Sequence, residues 1–290
     1  MVSPSDFIAR ACICCDSVHL DKSAAVLMPF VAKRVFDHEP VEITAEWGLR
    51  DLRVGMAYTL CNSLQCQACG ALFLDYRFSD AQMAALYSGY RGAQYTRERE
   101  QYEPGYAAIA EHYQGREAYI ADIERWLAPH LPERPAVLDW GGGSGLNTPF
   151  RGRHSLLHVH DISAVELAEG AEAIGPEQLA RGRYDLITCC QVLEHVPSPR
   201  ALIKQMLPAM DRDTLLYLEV PHEGLMRERP GSLALAASKR HWHEHINFFT
   251  ELALQRLIEG CGLKRVDSHL LPVDLGWRQA EVIGVLVRLA

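Results

Sequence analysis

The sequence lacks an apolar run long enough to cross a lipid bilayer, and it lacks an excess of basic residues. A transmembrane helix needs about 20 consecutive apolar residues, and residues 1–10 contain an aspartate and no apolar core of a signal peptide. The 290 residues include 29 lysines and arginines against 37 aspartates and glutamates, which gives a net charge of −8. A nucleic-acid-binding surface needs clustered positive charge. We therefore expect no membrane association and no nucleic-acid partner.

The sequence also lacks the even cysteine count of a secreted protein held together by disulfides. Nine cysteines without a signal peptide are typical of free thiols and metal ligands in a reducing compartment, so we expect a cytoplasmic protein. Four of them form two Cys-x-x-Cys pairs, Cys12 with Cys15 and Cys66 with Cys69. Two such pairs are typical of a closed, tetrahedral Zn²⁺ site that stabilises the fold. Buried cysteines without a metal are the alternative.

The predicted zinc-binding domain comprises residues 1–78. Its two cysteine pairs are separated by 51 positions, counted from Cys15 to Cys66, whereas a minimal zinc ribbon has about 15 to 20 residues between its pairs. The interval should therefore contain strands of its own, which we predict at residues 41–44 and 58–60. Two further thiols in this region could replace one of the four ligands, namely Cys14 and Cys61.

Position 146 holds leucine, not glycine, and this residue distinguishes between two cofactor-binding sequence patterns. Residues 136–145 read Ala-Val-Leu-Asp-Trp-Gly-Gly-Gly-Ser-Gly, an apolar strand followed by an acid and then by glycines at alternate positions. A loop whose backbone touches a ligand needs glycine, because glycine has no Cβ and adopts positive φ. The dinucleotide pattern Gly-x-Gly-x-x-Gly would require a glycine at position 146, so a nicotinamide cofactor is disfavoured.

The remaining pattern, Asp-x-Gly-x-Gly-x-Gly, resembles motif I of the class I S-adenosylmethionine (SAM)-dependent methyltransferases. In that family the acid lies near the amino end of the methionine moiety, and the glycines accommodate the cofactor. A glycine-rich turn without a ligand is the alternative. The resemblance implies that SAM is bound by Asp139, Trp140, Gly141, Gly143 and Gly145.

A second acid favours a cofactor that contains a ribose. Asp161 follows the apolar run 156–160 and lies 20 positions after Gly141, the distance at which a nucleotide-binding βαβ unit places a carboxylate at the tip of its second strand. Such a carboxylate accepts hydrogen bonds from both ribose hydroxyls, whereas an acid at a strand end is often only a turn former. We predict Asp161 as the ribose ligand and Ile162 as an apolar neighbour of the adenine.

From residue 133 to residue 290, strands alternate with helices, which predicts a doubly wound α/β sheet that is mostly parallel. The third strand must be very short, at about residues 171–174. The last two strands follow each other without a helix, so one of them should be antiparallel. This arrangement resembles the Rossmann-like, seven-stranded sheet of the class I methyltransferases, whose last strand inserts antiparallel. The other predicted elements are strands at 136–140, 156–160, 184–190, 214–220, 263–271 and 281–289 and helices at 200–210 and 250–261.

Residues 79–132 are predicted to form a helical connection between the two domains. Ser79-x-x-Gln82 is a capping box that begins one helix, and a second helix runs over residues 104–127 with a break at Gly115. This connection is also the predicted lid of the cofactor site.

The lid is rich in tyrosine, with five tyrosines between residues 87 and 106. They either pack as core or close over the cofactor, because in related methyltransferases the segment before the core domain covers the SAM pocket. Tyr90 and Tyr95 are the two that we predict to contact the cofactor.

The predicted strand at 184–190 continues into Gln191-Val192-Leu193-Glu194-His195. Its Leu-Glu-His sequence resembles a run in which a methyltransferase strand ends beside the sulfonium of SAM. Ligands of open α/β sheets bind outside the carboxyl ends of the strands, so Gln191 is expected to line the cofactor cleft. His195 is a candidate for a direct role in catalysis, whereas Glu194 is expected to shape the loop.

The densest group of titratable residues spans positions 241–245, which read His-Trp-His-Glu-His. Three histidines within five residues would strain a metal site, so a general base oriented by a carboxylate is the favoured interpretation, and a loop that caps the following helix is the alternative. The run resembles sugar methyltransferases with an N-terminal zinc-binding domain, including the 3-C-methyltransferases of deoxysugar nucleotides. In those enzymes a His-Glu pair at this position is associated with deprotonation of the substrate. The resemblance assigns that role to Glu244 and His245.

Two departures from that subfamily disfavour C-methylation of a keto sugar. Trp242 stands where the subfamily tends to have tyrosine, and the last predicted strand ends at residue 289 without the extra carboxyl-terminal domain of the C-methylating enzymes. We therefore predict a SAM-dependent methyltransferase that acts on a small polar acceptor, a sugar hydroxyl of a nucleotide sugar or glycan precursor, with His245 as base and Glu244 orienting it. The alternatives are a C-methyltransferase of a keto-deoxysugar nucleotide, an rRNA methyltransferase and a non-catalytic SAM-binding protein. The sequence leaves monomer and homodimer open.

Overall fold

The chain folds around two main sheets, one near the amino-terminal cysteines and one that begins with the glycine-rich segment. The computed structural model describes residues 7–48, 53–112, 118–163, 165–179, 183–229, 234–275 and 279–290. None of the helices within these ranges combines the length and the apolar character needed to span a membrane.

The amino-terminal region begins with a long strand, β1 (Leu20–Leu27), and a helix, α1 (Pro29–Phe36), neither of which the sequence analysis predicts. The strand predicted at 41–44 is confirmed. The strand predicted at 58–60 is wrong in position, because the observed strand begins at Leu60 and continues to the second cysteine pair. The following strands are β2 (Val41–Ile43), β3 (Gly55–Ala57), β4 (Leu60–Cys66) and β5 (Leu72–Leu74).

Helices connect the two sheets, namely α2 (Asp80–Tyr87), α3 (Ala93–Tyr102), α4 (Tyr106–His112) and α5 (Ile120–Leu127). The predicted capping box of α2 is confirmed, because the Gln82 amide donates to Ser79 Oγ and the Ser79 amide donates to Gln82 Oε1 at 2.9 Å. The helix predicted over 104–127 consists of α4 and α5. The break predicted at Gly115 lies outside the described residues.

The second sheet has the mostly parallel arrangement that the alternating pattern predicts. Its parallel strands, from one edge inward, lie in the order β8-β7-β6-β9-β10. The two strands around the predicted cofactor loop have the predicted bounds, and the predicted third strand is very short. These strands and the helices between them are β6 (Ala136–Trp140), β7 (Leu156–His160), β8 (Glu172–Ala173), α6 (Pro176–Leu179), β9 (Leu186–Cys190), α7 (Pro199–Met206) and β10 (Leu215–Pro221).

The remaining elements are α8 (Gly224–Glu228), α9 (Leu235–Ser238), β11 (His241–Trp242), β12 (Asn247–Phe248), α10 (Glu251–Glu259), β13 (Leu263–Asp274) and β14 (Gln279–Leu289). Strand β14 lies between β10 and β13 and is antiparallel to both. The predicted antiparallel last strand is therefore confirmed.

Two short strands from late in the chain complete the first sheet. Strand β11 is parallel to β1, and β12 is antiparallel to β5, so the strand order is β11-β1-β4-β5-β12. Residues 243–246, which connect β11 with β12, are therefore held at both ends by the amino-terminal sheet. They nevertheless lie inside the sequence range 133–290 that was assigned to the second domain.

The two sheets share a hydrophobic core. One cluster of buried side chains contains residues of both, including Cys66 and Phe73 of the first sheet and Leu138 and Ile187 of the second. Burial of apolar surface contributes about 25 cal/mol per Å², so this shared core stabilises the contact between the cysteine region and the second sheet.

Two polar contacts fix the cysteine segments on the helices of the second sheet. Thr250, the N-cap of α10, donates from its hydroxyl to the Cys69 carbonyl at 2.7 Å. Arg200, near the start of α7, donates to the Cys14 carbonyl at 2.8 Å. Each cysteine pair is thereby attached to a different helix.

Candidate active site

The glycine-rich loop follows β6 at the carboxyl end of the sheet. Gly141, Gly143 and Gly145 all have positive φ, with values of 77°, 58° and 75°, in the region where a side chain is strained. A Cβ at Gly141 would lie 2.5 Å from Val192 Cγ2, so only glycine fits there. At Gly143, no heavy atom of the described chain lies within 4 Å of the corresponding position. The loop therefore leaves open space for a ligand above Gly143.

Asp139 holds this loop against the neighbouring strand. Its buried carboxylate accepts hydrogen bonds from the hydroxyls of Thr148 and Thr188, the latter on β9 at 2.7 Å. Burial raises the pKa of Asp139, whereas the two hydroxyl donors lower it. The predicted acid of motif I thus positions the loop through direct bonds to the protein.

Asp161 lies at the end of β7, beside the glycine loop. It accepts hydrogen bonds from the amide of Gly143 at 2.8 Å and from the amide of Ser163 at 2.7 Å. The Ser163 hydroxyl also donates to Asp161. A carboxylate has about four acceptor positions, so one further donor such as a ribose hydroxyl can still bind. The side chain of the adjacent Ile162 is 71% exposed and is available to an apolar ligand group.

Trp140 packs against the neighbouring strand. It is 5% exposed, and its ring centroid lies 4.4 Å from that of His160 on β7. The indole therefore leaves the space at Gly143 open, and the backbone of Trp140 leads directly into the glycine loop.

Gln191 directly follows β9 and has a φ of 57°, an unusual conformation for a residue other than glycine. Its side chain donates to Glu219 Oε1 at 2.9 Å. Glu219, on β10, is fully buried and also accepts from the Tyr217 hydroxyl at 2.7 Å. Burial raises the pKa of Glu219. The sequence analysis did not identify this buried carboxylate as the partner of Gln191.

His195 lies at the end of the turn that follows β9. Its Nδ1 lies 2.7 Å from the Tyr87 hydroxyl and 3.2 Å from the Glu244 carbonyl. Burial and the neighbouring His245 lower the pKa of His195 to about 3. The imidazole is therefore neutral at neutral pH.

His245 lies next to His195, with ring centroids 4.6 Å apart. Its Nδ1 is 2.7 Å from Glu223 Oε1. Burial disfavours the charged form, but Glu223, with help from Glu194 and Glu244, raises the pKa of His245 to about 9. The carboxylate that orients His245 is Glu223 and not Glu244, so the predicted orienting role of Glu244 is corrected. Glu223 was missed, although its position soon after the carboxyl end of β10 was a signal.

Glu244 points instead to the helical connection. It accepts two hydrogen bonds from the Arg99 guanidinium, at 2.8 and 2.9 Å, and both side chains are nearly buried. Burial raises the pKa of Glu244, but the charge of Arg99 outweighs it and lowers the pKa to about 2. A bidentate pair of this kind is geometrically specific, so Glu244 attaches the 243–246 segment to α3.

Tyr90 and Tyr95 belong to a row of aromatic rings that leads to His195. The Tyr90 ring centroid lies 5.2 Å from that of Tyr87 and 5.3 Å from that of Tyr95. Tyr95 is 2% exposed and packs edge-on against Phe30 of α1. Burial raises the pKa of both phenols. The structure thus brings these predicted lid residues together with the histidines.

Glu194 is the most unusual group of the site. Its side chain is 1% exposed, and neither carboxylate oxygen has a hydrogen-bond partner among the described residues. Burial raises the pKa of Glu194 to about 8. One potential ligand atom from each of Glu194, His195 and His245 lies within 4.8 Å of the others, which is close enough to hold a metal ion.

The four predicted zinc ligands lie together. The Sγ atoms of Cys12 and Cys69 are 3.5 Å apart, those of Cys15 and Cys66 are 3.6 Å apart, and all four lie within 4.8 Å of one another. The amide of Cys14 donates to Cys12 Sγ at 3.4 Å. The group therefore contains the predicted set and does not draw on the two additional thiols.

Comparison with known proteins identifies the family. A family model described as a methyltransferase domain matches residues 110–268, more than half of the chain. A ubiquinone biosynthesis O-methyltransferase of Burkholderia pseudomallei (strain 1710b) is 26% identical over 161 residues, which cover 48% of this chain and 68% of the relative. The protein of the same name from Burkholderia vietnamiensis (strain G4 / LMG 22486) is 32% identical over 95 residues, covering 27% and 41%.

A solved structure has a similar fold. It is a Burkholderia thailandensis 1,6-didemethyltoxoflavin-N1-methyltransferase with bound 1,6-didemethyltoxoflavin and S-adenosylhomocysteine, 18% identical with a TM-score of 0.50, covering 78% of this chain and 97% of that chain. The family match extends over the glycine loop, Asp161 and His195, and the second sheet has the antiparallel last strand expected of this fold. The chain therefore belongs to the methyltransferase domain family and is a class I SAM-dependent methyltransferase.

Proposed function

We propose that this enzyme methylates a hydroxyl of a small polar acceptor, specifically a sugar hydroxyl of a nucleotide sugar or glycan precursor. The observation that carries the proposal is the pair of imidazoles of His195 and His245, whose ring centroids lie 4.6 Å apart. His195 ends the turn whose Val192 lies against Gly141 of the glycine loop. A hydroxyl must lose its proton as the new bond forms, and a carboxylate-supported imidazole is a common proton acceptor. The Burkholderia relatives are named as O-methyltransferases, which supports oxygen as the methylated atom.

The sugar class is supported by the resemblance of the His-Glu-His run and the paired cysteines to sugar methyltransferases with an N-terminal zinc-binding domain. Glu244 and His245 are the residues that carry this resemblance. In this chain the carboxylate beside His245 belongs to Glu223, so the proposed base has a different orienting partner from the one that the motif suggests.

When bound, SAM supplies an electrophilic methyl group. Because Glu223 occupies Nδ1 of His245, Nε2 is the nitrogen that accepts the proton of the acceptor hydroxyl, as the O–C bond forms and the C–S bond breaks. The raised pKa of about 9 makes the neutral form of His245 a strong proton acceptor, but this form is the major one only at alkaline pH, so methyl transfer should speed up as the pH rises toward 9. Glu223 then stabilises the imidazolium.

His195 and Glu244 are assigned supporting catalytic roles. The neutral imidazole of His195, fixed by the Tyr87 hydroxyl, can align the acceptor through a hydrogen bond without adding charge. Glu244 keeps His245 in place, because its pair with Arg99 fixes the 243–246 segment on α3.

The cofactor is assigned to the open space above Gly143, where an added Cβ would meet no atom of the described residues. Asp161 binds the ribose, Ile162 packs against the adenine, and Gln191 lines the cleft at the end of β9. Tyr90 and Tyr95 close the cleft from the helical connection. The methionine moiety is assigned to the loop residues Asp139, Trp140, Gly141, Gly143 and Gly145.

The paired cysteines are proposed to hold a structural Zn²⁺. Tetrahedral coordination with Zn–S bonds of about 2.3 Å implies S–S distances of roughly 3.8 Å, and the observed distances of 3.5 and 3.6 Å are close to this value. We propose residues 1–78 as the zinc-binding domain, 79–132 as the helical connection and lid, and 133–290 as the methyltransferase domain. Strands β11 and β12 extend from the last domain into the sheet of the first.

The test of this function is incubation of the purified enzyme with methyl-labelled SAM and a panel of nucleotide sugars, glycan precursors and simple phenols, read by mass spectrometry. We expect the label on a sugar oxygen. Label on a phenol would contradict the sugar class, and label on a ring carbon would contradict O-methylation. Tight SAM binding without any methylated product would favour a non-catalytic SAM-binding protein.

A further inference from the structure

Glu194, His195 and His245 form a second group of metal-ligand type, separate from the four cysteines. One ligand atom from each lies within 4.8 Å of the others, and Glu194 Oε1 is 3.7 Å from His195 Nε2. Ligand atoms around a four-coordinate Zn²⁺ at about 2.0 to 2.1 Å are roughly 3.3 Å apart. Small side-chain movements would therefore bring the three groups to coordination distance.

The carboxylate of Glu194 gives a second, independent argument for a cation site. It is 1% exposed and has no hydrogen-bond partner on either oxygen among the described residues. Burying a carboxylate without hydrogen bonds is costly, and buried charges are normally paired or bound to a metal. Its position between two imidazoles supplies the other ligands that such a cation needs.

Both imidazoles are oriented in the way that metal-bound histidines usually are. Nδ1 of His195 is 3.2 Å from the Glu244 carbonyl and 2.7 Å from the Tyr87 hydroxyl, and Nδ1 of His245 is 2.7 Å from Glu223 Oε1. A metal-ligating histidine almost always bonds through its second ring nitrogen to a carboxylate, carbonyl or water, which fixes the ring. Nε2 is therefore the nitrogen of each histidine that can bind a metal ion.

We propose that Glu194, His195 and His245 bind a divalent transition-metal ion, and that this ion competes with the proton that His245 takes up during methyl transfer. Two imidazoles and one carboxylate suit Zn²⁺ or Co²⁺ better than Mg²⁺, which prefers oxygen ligands. The Glu194 carboxylate would contribute a negative charge directly at the ion. Metal occupancy is thus a means of switching off the base. The competition rests on the proposed function, whereas the binding of the metal does not.

The binding test is a Co²⁺ titration of the full chain whose cysteine site has first been filled with Zn²⁺, followed by absorption spectroscopy and equilibrium dialysis. We expect one Co²⁺ per chain beyond the cysteine-bound zinc, with weak d–d bands and no intense thiolate-to-cobalt charge transfer. Binding of no additional ion, or of one with thiolate charge transfer, would overturn the site.

The key variant is Glu194→Gln, which preserves shape and removes the charge. We expect its Co²⁺ affinity to fall by at least about tenfold. The matched control is Glu172→Gln, because Glu172 lies 3.8 Å from His158 in an exposed pair with a similar separation, and this control should bind Co²⁺ like the wild type. If Glu194→Gln does not fold, His195→Gln tests the same site. Equal Co²⁺ affinity in a folded Glu194 or His195 variant would refute the assignment.

Activity measurements distinguish a failure of this inference from a failure of the proposed function. Zn²⁺ added to the enzyme should inhibit methyl transfer, and a chelator too weak to strip the cysteine site should restore it. Bound Zn²⁺ that raises activity would overturn both the competition and the role of His245 as base, while the metal site itself would stand. Bound Zn²⁺ without any effect on activity would overturn the competition alone.

Discussion

The proposed cofactor end and the proposed acceptor end of the site are constructed in different ways. The cofactor end uses residues 139–145 and Asp161, which follow two neighbouring parallel strands, β6 and β7. The acceptor end draws its groups from segments far apart in sequence, including Tyr87 on α2, Arg99 on α3 and residues 243–246. One end is therefore encoded by a contiguous motif, and the other by long-range contacts.

This difference has a consequence for stability. The 243–246 segment connects two strands of the cysteine-containing sheet, β11 and β12, so the acceptor end depends on that sheet. The bonds that hold the glycine loop come from the second sheet, through Thr188 and Asp161. Damage to the first sheet should therefore impair acceptor chemistry more than SAM binding.

The largest effect is expected from loss of the proposed metal at the cysteine site. Structural zinc contributes on the order of 10 kcal/mol in small zinc domains, and β5, which pairs with β12, begins three residues after Cys69. Cys69→Ser should therefore lower the melting temperature and abolish methyl transfer, while SAM affinity, measured by calorimetry, changes by less than about tenfold.

The matched control for this variant is Cys61→Ser, since Cys61 lies in β4 but outside the four-cysteine group. It should keep both the metal and the activity. Loss of SAM binding in parallel with activity in Cys69→Ser would show that the two ends are not separable.

Removal of the proposed base is expected to have the next largest effect. Glutamine cannot accept the acceptor proton, and general-base catalysis typically contributes about 10²- to 10⁴-fold, so His245→Gln should lower kcat by that factor. His241→Gln is the control, because His241 is exposed at the other end of the same cluster. Equal loss of activity in the two variants in a steady-state assay would show that His245 is not the base.

The pair between Arg99 and Glu244 tests the attachment of the acceptor end to α3. Arg99→Met leaves the buried Glu244 carboxylate unpaired, which should lower the free energy of unfolding by about 3 to 5 kcal/mol. The exposed pair of Arg125 with Asp122 is the comparison, and Arg125→Met should cost less than about 1 kcal/mol. Urea unfolding measures both variants. Similar costs for the two would mean that the Arg99 pair does not hold the segment.

The smallest effect is expected from the addition of a single methyl group, the Cβ of alanine, to the glycine loop. Gly143 and Gly262 both have positive φ, and an added Cβ meets no described atom within 4 Å at either position. Alanine at each should cost roughly 1 to 2 kcal/mol of stability through backbone strain, but only Gly143→Ala should also weaken SAM binding in calorimetry. Unchanged SAM affinity in Gly143→Ala would show that the cofactor does not bind at this loop.

The parts of the structure that the sequence predicted are those with local signals. Strands β6 and β7 are short apolar runs next to turn residues, and their observed bounds match the predicted ones. The capping box at Ser79 is likewise a contact between neighbours three positions apart. Such features depend on residues within a single element, so the spacing of residue types in the sequence is enough to predict them.

The parts that escaped prediction depend on distant partners. Arg99 and Glu244 are separated by 145 positions, and His245 and Glu223 by 22, so neither pair leaves a periodic pattern in the sequence. The edge strand β11 has only two residues, and its pairing with β1 follows from tertiary packing. The motif at residues 241–245 therefore predicted a carboxylate partner for His245 but named Glu244, whereas the observed partner is Glu223.

The most direct test of the two-ended site is to measure SAM affinity and single-turnover methyl transfer in parallel for Gly143→Ala and His245→Gln. The account predicts that His245→Gln binds SAM like the wild type but transfers the methyl group slowly, whereas Gly143→Ala loses SAM affinity. Loss of SAM affinity in His245→Gln, or wild-type SAM affinity in Gly143→Ala, would contradict it.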